Sequence, residues 1–524
     1  MEGGPRSRRA KPTPNGKGVS PMRDSCLELS GKGVSSERDS GLELSKSPPP
    51  PPAPWWTDPS APVTGDHSWL ILDRIVHRSR KRCGDATTSA LAHECVGRPI
   101  RASLRIADPP AVSRLYVHWT SIPAIDCMKE PVVIAAHHNS ILFRVSVPFD
   151  DPCFWSRMIY FPDDYFVYSS SSSPPSLTRL PPCFTRVPLC FGGGRTDPEL
   201  DKWLQPHRRQ QQRTMIEEDM GILCHGDKGE FTVADLTYRF NQEVQLCLLH
   251  HPPSASDAEM KWSVEKLQIP ADMKISLYSF KTDAVVTIGE RCLCWVDYYH
   301  GMLLIDVLAG SNNNSRLRYI PLPSKALKTG RVYKDGEPDS FRRLSVCDGG
   351  IIKLVCIITK EHPSPYPFTI ETWTLVDIHQ GRWEKDVNLT MGASEFFNLY
   401  NDTAKSRLPR VMPSFPVVSL VDPDVICFRL EDKFRDPFWM VQVNMRNKLL
   451  LSSSIYINEE EEEGYPPKRD CRNYFIFHDF IASKFSSYLS EDAIKSNTDA
   501  TQLLGGLVQG FKISEVSKSA SLSK

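Results

Sequence analysis

The chain has 524 residues, 40% of them hydrophobic and 24% charged, the make-up of a globular protein long enough to pack several sheets. Lys plus Arg and Asp plus Glu balance at 63 each, so the basic excess of a protein-wide nucleic-acid binder is absent. No stretch approaches the ~20 apolar residues of a membrane-crossing helix, and the opening MEGGPRSRRAKPTP lacks the apolar segment of a secretory leader.

The first 62 residues are rich in Ser, Gly, Pro and charge, and are expected to be disordered. They hold a tandem repeat: Gly16–Ser30 matches Gly31–Ser45 at 12 of 15 positions. Two copies are too few for a solenoid, so the repeat reads as a duplication in a tolerant tail. Pro48–Pro52 with Pro54 favours polyproline II and reads as a stiff spacer. A β-rich body is expected over residues 63–475, beginning at SWLILDRIVH (Ser68–His77), which fits a short amphipathic turn or a strand. Ile100–Ile106 alternates, Leu115–Trp119 is a strand, and Pro131–Val147 is a hairpin around His137-His138-Asn139-Ser140. Ser169–Pro182 reads as an exposed loop. Met220–Tyr238 and Glu243–His250 are further strands, and Glu199–Asp219 is a surface helix or an insertion.

The second half is more regular. Ala284–Trp295 is a strand pair in which Cys292 and Cys294 share one face and point to a core. Met302–Val307, Leu317–Pro323, Leu344–Cys347, Ile351–Thr359 and Phe368–Ile378 follow, with Asp348-Gly349-Gly350 as a turn. Val425–Leu430 pairs with Phe438–Asn444, and Arg446-Asn447-Lys448 turns into Leu449–Ile457. WSVEKLQIP, RLRYIPLP and RWEKDVNL are variants of one motif that recurs about every 50–60 residues, the length of a four-stranded propeller blade. Glu459–Glu463 reads as a solvated insertion. YFIFHDFIASKFSSYL (Tyr474–Leu489) places Phe477, Ile481, Phe485 and Tyr488 on one helical face, so an amphipathic helix over residues 476–490 is expected to pack on the body. Residues 491–524 form a mostly polar tail. The expected fold is mainly β: a propeller-like array of antiparallel four-stranded sheets with roughly six to eight blades, about seven by division. Paired β-sandwich domains are the alternative.

Two resemblances emerge. Trp295-Val296-Asp297-Tyr298-Tyr299 with Gly301, Asp306-Val307-Leu308 and Leu317–Pro323 resemble the plant domain of unknown function numbered 1618, expanded in grasses. SLRIADPPAVSRLYVHW, ICFRLED and FWMVQVNMRNKLLL are similar to the same family, and the most typical part spans about residues 290–430. That family implies no catalytic residues. Leu293–Trp295, Asp306, Ile320–Pro323, Leu344–Gly349 and Ile370–Trp373 also resemble, more weakly, the F-box-associated propeller-like domain. This implies a substrate-recognition subunit of an SCF-type ubiquitin ligase, yet SWLILDRIVHRSRK is only a fragment of an F-box.

Chemistry is sparse. There is no phosphate-binding loop, nucleophile elbow, HExxH or dinucleotide fingerprint. Gly192–Gly194 reads as a loop, and Asp163-Asp164 and Asp422-Pro423-Asp424 as turns. His137-His138 and His250-His251 point to opposite faces if extended, so neither pair chelates by itself. His93-Glu94-Cys95 has the residue types of a metal or hydrolytic site in an unpromising consecutive placement. The 15 cysteines form no CxxC and read as buried reduced thiols, which points to cytoplasm or nucleus and to unused sequons at Asn313, Asn388 and Asn401. The basic clusters Arg6–Lys11 and Arg78–Arg82 read as solvated charge. The expectation is a non-enzymatic scaffold that binds other proteins, with no catalytic, cofactor or metal residues and no membrane or nucleic-acid partner. An enzyme whose site assembles only in three dimensions is a further alternative.

Overall fold

The computed structural model describes residues 68–79, 88–95, 97–119, 130–147, 163–183, 213, 215–226, 229–238, 244–252, 260–270, 273, 279–310, 316–328, 338–359, 368–400, 408–432, 435–456 and 479–489. All lie within the compact unit Ala53–Lys524. The tandem repeat, the polyproline run, Gly192–Gly194, Glu459–Glu463 and the tail from residue 491 lie outside the described residues.

Blade I contains β1 (Leu70–Asp73), β2 (His77–Ser79), β3 (Ala90–His93), β4 (Pro99–Arg105) and β5 (Val112–Trp119). Blade II is β6 (Val132–His137), β7 (Ser140–Ser146), β8 (Asp163–Ser169) and β9 (Ser176–Arg179). Blade III is β10 (Met220–His225), β11 (Glu230–Tyr238), β12 (Val244–His251) and β13 (Trp262–Leu267). Blade IV is β14 (Ala284–Ile288), β15 (Cys292–Asp297), β16 (Gly301–Asp306) and β17 (Leu317–Pro321), followed by helix α1 (Ser324–Lys328). Blade V is β18 (Arg342–Cys347), β19 (Ile351–Thr359), β20 (Phe368–Asp377) and β21 (Arg382–Lys385), with β22 (Met391–Gly392) also on β20 and helix α2 (Ala393–Asn398) after it. Blade VI is β23 (Ser414–Val418), β24 (Val425–Asp432), β25 (Arg435–Asn444) and β26 (Leu449–Ile455). The ring closes through β27 (Phe480–Ser483), which pairs antiparallel with β1 from Leu70↔Ser483 to Asp73↔Phe480. β1 and β2 run parallel to β5, and every other pairing is antiparallel. The fold is a six-bladed β-propeller. The innermost strands β6, β10, β14, β18, β23 and β27 pack in sequence around the axis, β27 returning to β6.

Each gap between blades holds one hydrophobic cluster. Strand residues alternate between the two seams that flank their blade, which is the period-two geometry of a sheet buried on both faces. In β15, Cys292 and Cys294 face blade V, while Leu293 and Trp295 face blade III. This accounts for near-continuous apolar runs such as IIKLVCII. The nine described cysteines are free thiols, and all but Cys95 are buried. WSVEKLQIP, RLRYIPLP and RWEKDVNL fall on β13, β17 and β21, the outermost strands of three consecutive blades. The tryptophans of two of them reach back to the previous blade: Trp262 donates its indole N–H to the Pro181 carbonyl at 2.7 Å, and Trp383 to that of Pro321 at 3.0 Å.

Several readings are corrected. The expected C-terminal helix contains β27 and then a one-turn 3-10 segment, Phe485–Tyr488. The adjacent pair Phe480 and Ile481 serves two seams at once, Phe480 facing blade VI and Ile481 facing blade II. An innermost strand requires that, and backbone pairing to β1 outweighs a helical apolar stripe of four residues. The division estimate of about seven blades gives way to six, because blade I is assembled from both ends of the body and long segments between strands inflate the period. Of the turn and the strand open to SWLILDRIVH, the structure has the strand: the segment forms β1 and supplies the first residue of β2. The supposed loop Ser169–Pro182 carries β9, and Asp163-Asp164 opens β8 instead of forming a turn.

Candidate functional site

The inner strands enclose a cavity of about 420 Å3 on the axis. Its wall is made of small and apolar side chains: Ala135 and Ala136 from β6, Ile222 from β10, Val285 from β14, Leu344 and Val346 from β18, and Ala482 from β27. At Gly221 β10 lies tight against β14, for a Cβ there would stand 2.6 Å from Val285 Cγ1.

Charge gathers at the two ends. Where β18 and β27 begin, Asp479 sits between Arg74 and Arg343, and Arg343 also donates to the Phe480 carbonyl at 2.6 Å. Burial alone would raise the Asp479 carboxyl, but the two guanidiniums outweigh it and hold it below the usual carboxylate range. At the other end lie His137, His138, Asp348-Gly349-Gly350 and Lys484. Lys484 is ion-paired to Asp348, and His138 Nδ1 lies 2.7 Å from the Tyr488 hydroxyl. The backbone N–H of Cys224 donates to His137 Nδ1 at 2.9 Å. Burial pushes the His137 imidazole well below its ordinary value, with His138, Lys484 and His225 adding to the effect. The two histidines are not extended neighbours: His138 has φ 46, which brings the ring centroids to 3.9 Å. His250 and His251 do diverge, one bonding the Thr232 hydroxyl at 2.8 Å and the other stacking on Phe231.

Other titratable groups sit in the seams. Asp73 accepts from the Tyr456 hydroxyl at 2.5 Å and meets His77 Nε2 at 3.2 Å, while Arg114 covers the Tyr456 ring at 4.6 Å. Asp73, His77 and Tyr456 are all buried, so this carboxylate–imidazole pair locks blade VI to blade I and offers a substrate no approach. Burial opposes ionisation of Asp73, but His77, Arg114 and Tyr456 keep its carboxyl low. Burial raises Asp219 to about 7 and Asp235 to about 6. Asp235 is held by Arg213 at 3.0 Å, and neither carboxyl lines the axial cavity. Glu94 and Cys95 converge with Asp164, without His93, their ligand atoms lying within 4.8 Å of one another. Glu94 is paired with Arg98 at 2.6 Å, and Asp164 accepts the Cys95 N–H at 2.6 Å, so this cluster ties blade I to blade II. Asp422-Pro423-Asp424 is a turn, with Asp424 N–H donating to the Asp422 carboxylate at 3.0 Å.

The WVDYYHG stretch, which carried the sequence resemblance, is a joint. The Trp295 indole donates to the Asp219 carbonyl at 2.7 Å. Asp297 caps its turn by accepting the N–H groups of Tyr299 and His300. The Tyr298 hydroxyl accepts the Leu344 N–H at 3.1 Å across the blade IV–V seam. Gly301 is required because a Cβ there would lie 2.6 Å from the Ile320 carbonyl.

The molecule is thus a β-propeller with a charged, ligand-sized axial cavity. Residues 295–427 match the family described as "Protein of unknown function (DUF1618)". No curated protein matches the chain. Similar solved structures include the β-propeller domain of the Trilobed protease from Pyrococcus furiosus, at 8% identity and TM-score 0.27, covering 60% of this chain and 68% of that one. A Synechocystis apocarotenoid oxygenase gives 10% identity and TM-score 0.29 over 74% of this chain and 80% of the other. The catalytic domain of a Coprinopsis cinerea α-L-arabinofuranosidase gives 9% and 0.25 over 71% and 92%. Likeness at this level carries no functional argument.

Arg74, Arg343, Asp479 and Lys484 escaped sequence reasoning. They come from three distant parts of the chain, and only closure of the ring by β27 unites them.

Proposed function

We propose that this protein is a non-enzymatic, intracellular plant scaffold that binds other proteins at the outer rim of its propeller. One observation carries this reading. β26 is a seven-residue outermost strand, LLLSSSI, without a charge or a proline. Leu449 is 55% and Leu451 49% exposed. The other outermost strands are blunted as natural edges usually are. β3 and β9 have four residues each, β13 carries Glu265 and Lys266, β17 carries Arg318 and ends at Pro321, and β21 reads RWEK. A bulge between Gln442 and Val443 is the one irregularity in the pairing of β25 with β26. Lys448 donates to the Thr390 carbonyl, drawing the start of β26 toward Val387, which is 75% exposed. An extended segment of a partner can add to such an edge as a further strand. Buried reduced thiols support a reducing compartment, and among the described residues no helix is long and apolar enough to cross a membrane. The ligase-subunit reading needs a helical adaptor-binding module, and the described helices are one or two turns long.

Affinity capture with mass spectrometry tests this, comparing the intact chain with Leu451→Lys and with Val264→Lys on β13 as the control edge. Stoichiometric partners retained by the control and lost from Leu451→Lys are expected. The same partners on all three baits, or none on the intact chain, would refute the edge as the binding surface.

A further inference from the structure

Two cysteines from opposite sides of one seam meet in a way that rim binding does not use. Cys183 follows β9, the outermost strand of blade II, and Cys247 lies on β12 of blade III, across from Asp235 on β11 and Val264 on β13. Both belong to the hydrophobic cluster between these blades, and their sulfurs are 3.4 Å apart. A disulfide needs about 2.0 Å, so closure asks for roughly 1.4 Å of approach. The backbone around Cys183 is fastened to blade III at two points. The Trp262 indole donates to the Pro181 carbonyl at 2.7 Å. Arg213, bonded to Asp235 at 3.0 Å, donates its backbone N–H to the Cys183 carbonyl at 2.7 Å. The fold therefore holds the two sulfurs against each other. Cys183 is 3% and Cys247 0% exposed, yet Pro181, Pro182, Met260 and Trp262 beside the pair are only half-buried. Such a cover suits an oxidant as small as hydrogen peroxide. The two thiols are also inequivalent. The Cys247 S–H donates to Cys183, which holds the Cys183 thiol below its ordinary value against the effect of burial and raises that of Cys247.

We propose that Cys183 and Cys247 form a peroxide-reactive dithiol that closes into a disulfide between blades II and III. The Cys183 thiolate attacks one oxygen of hydrogen peroxide and the O–O bond breaks. The released hydroxide takes a proton and leaves as water, and Cys183 becomes a sulfenic acid. The Cys247 sulfur gives up its proton and attacks the Cys183 sulfur. The S–S bond forms, the S–O bond breaks and a second water leaves. Two thiols lose two electrons, and one peroxide gains them. Exchange with a reducing dithiol restores both thiols, which are the resting state. The linked residues lie 64 positions apart, so the bridge closes a long loop and stabilises the body as it ties the two blades.

Peptide mapping by mass spectrometry tests the pair on the full chain. The folded protein is treated with hydrogen peroxide, quenched with catalase and unfolded in N-ethylmaleimide before digestion. A Cys183–Cys247 cross-linked peptide should appear, vanish with dithiothreitol, and be lost from Cys183→Ala and Cys247→Ala. Cys95→Ser should form it as the native chain does. Oxidation should raise the native Tm by about 3–5 °C, a gain absent from Cys247→Ala. With dimedone present, peroxide should leave a sulfenic-acid adduct on Cys183 in Cys247→Ala and none on Cys247 in Cys183→Ala. The native cross-link is read without any variant, so a variant that fails to fold leaves the test intact. No cross-linked peptide after peroxide, its formation only after unfolding in urea, pairing of Cys183 with another cysteine, no Tm gain in the native chain or an equal gain in Cys247→Ala, or a dimedone adduct on Cys247 in place of Cys183 would each overturn the proposal.

Discussion

Replacing Asp479 with Asn probes the junction on which the ring depends. The carboxylate lies between Arg74 and Arg343 directly before β27, and the three side chains are 6%, 15% and 10% exposed. Asn keeps the shape and removes the carboxylate charge that two nearly buried guanidiniums share. Breaking a buried pair in this way costs about 3–5 kcal/mol. Unfolding entropy scales at roughly 2 cal/mol/K per residue, about 1 kcal/mol/K for a chain of 524 residues. Tm should therefore fall by about 3–5 °C, read by scanning calorimetry at pH 7. The effect depends on pH. Asp479 titrates lower in the folded state than in the unfolded one, so its contribution is present above the unfolded value of about 3.9 and lost as pH falls through the folded value. Native and variant melts should separate above pH ~5 and converge in stronger acid. Adding Arg343→Met to Asp479→Asn should recover part of the loss, since it removes one of the two guanidiniums that faced the lost carboxylate. A variant that melts within a degree of the native protein at pH 7, or a gap that widens in acid, would refute the account of the junction.

Asp219 and Asp235 should act in the opposite sense. Burial raises both, to about 7 and about 6, so the stability they contribute is complete below pH ~4 and disappears as pH rises through those values. Asp219→Asn should flatten the fall in Tm between pH 5 and 8. Gly301→Ala, with its added Cβ 2.6 Å from the Ile320 carbonyl, should cost more than ~2 kcal/mol by urea unfolding. Gly349→Ala has space and carries only the strain of φ +71, about 1 kcal/mol. Native-state iodoacetamide labelling at pH 8, mapped by mass spectrometry, should modify Cys95 first of the described cysteines. Burial hides Cys224, Cys292, Cys347 and Cys356 and raises their thiols to about 12.

Hairpins and alternating strands were legible because turn residues and period two are local. Gly349 at φ 71 and the Asp422–Asp424 turn lie where the sequence signals them. The recurring Trp and I-P or L-P motif also marked a real unit, the outermost strand, although its interlocking with the previous blade depends on neighbours the motif does not name. β27 was hidden because four residues, FIAS, fit a helix stripe as well as a strand between two seams. The axial cavity was invisible for a related reason. Its charged residues sit at strand ends whose register around the axis is set by closure, and His138 turns toward His137 only through a backbone angle that a histidine seldom adopts.

Placing β27 innermost in blade I also sets an order of events during synthesis. The edge of β1 that it covers is among the first parts of the body to leave the ribosome, and its partner is among the last. Until residues 480–483 emerge, that edge stays available to any extended chain nearby, and blades II to VI have no closed ring to join. A chain truncated before Phe480 would expose Ile71 and Leu72 along an open strand edge, a surface that chaperones retain and proteases find. Damage far from the rim would then act on the amount of protein in the cell before it acted on any partner.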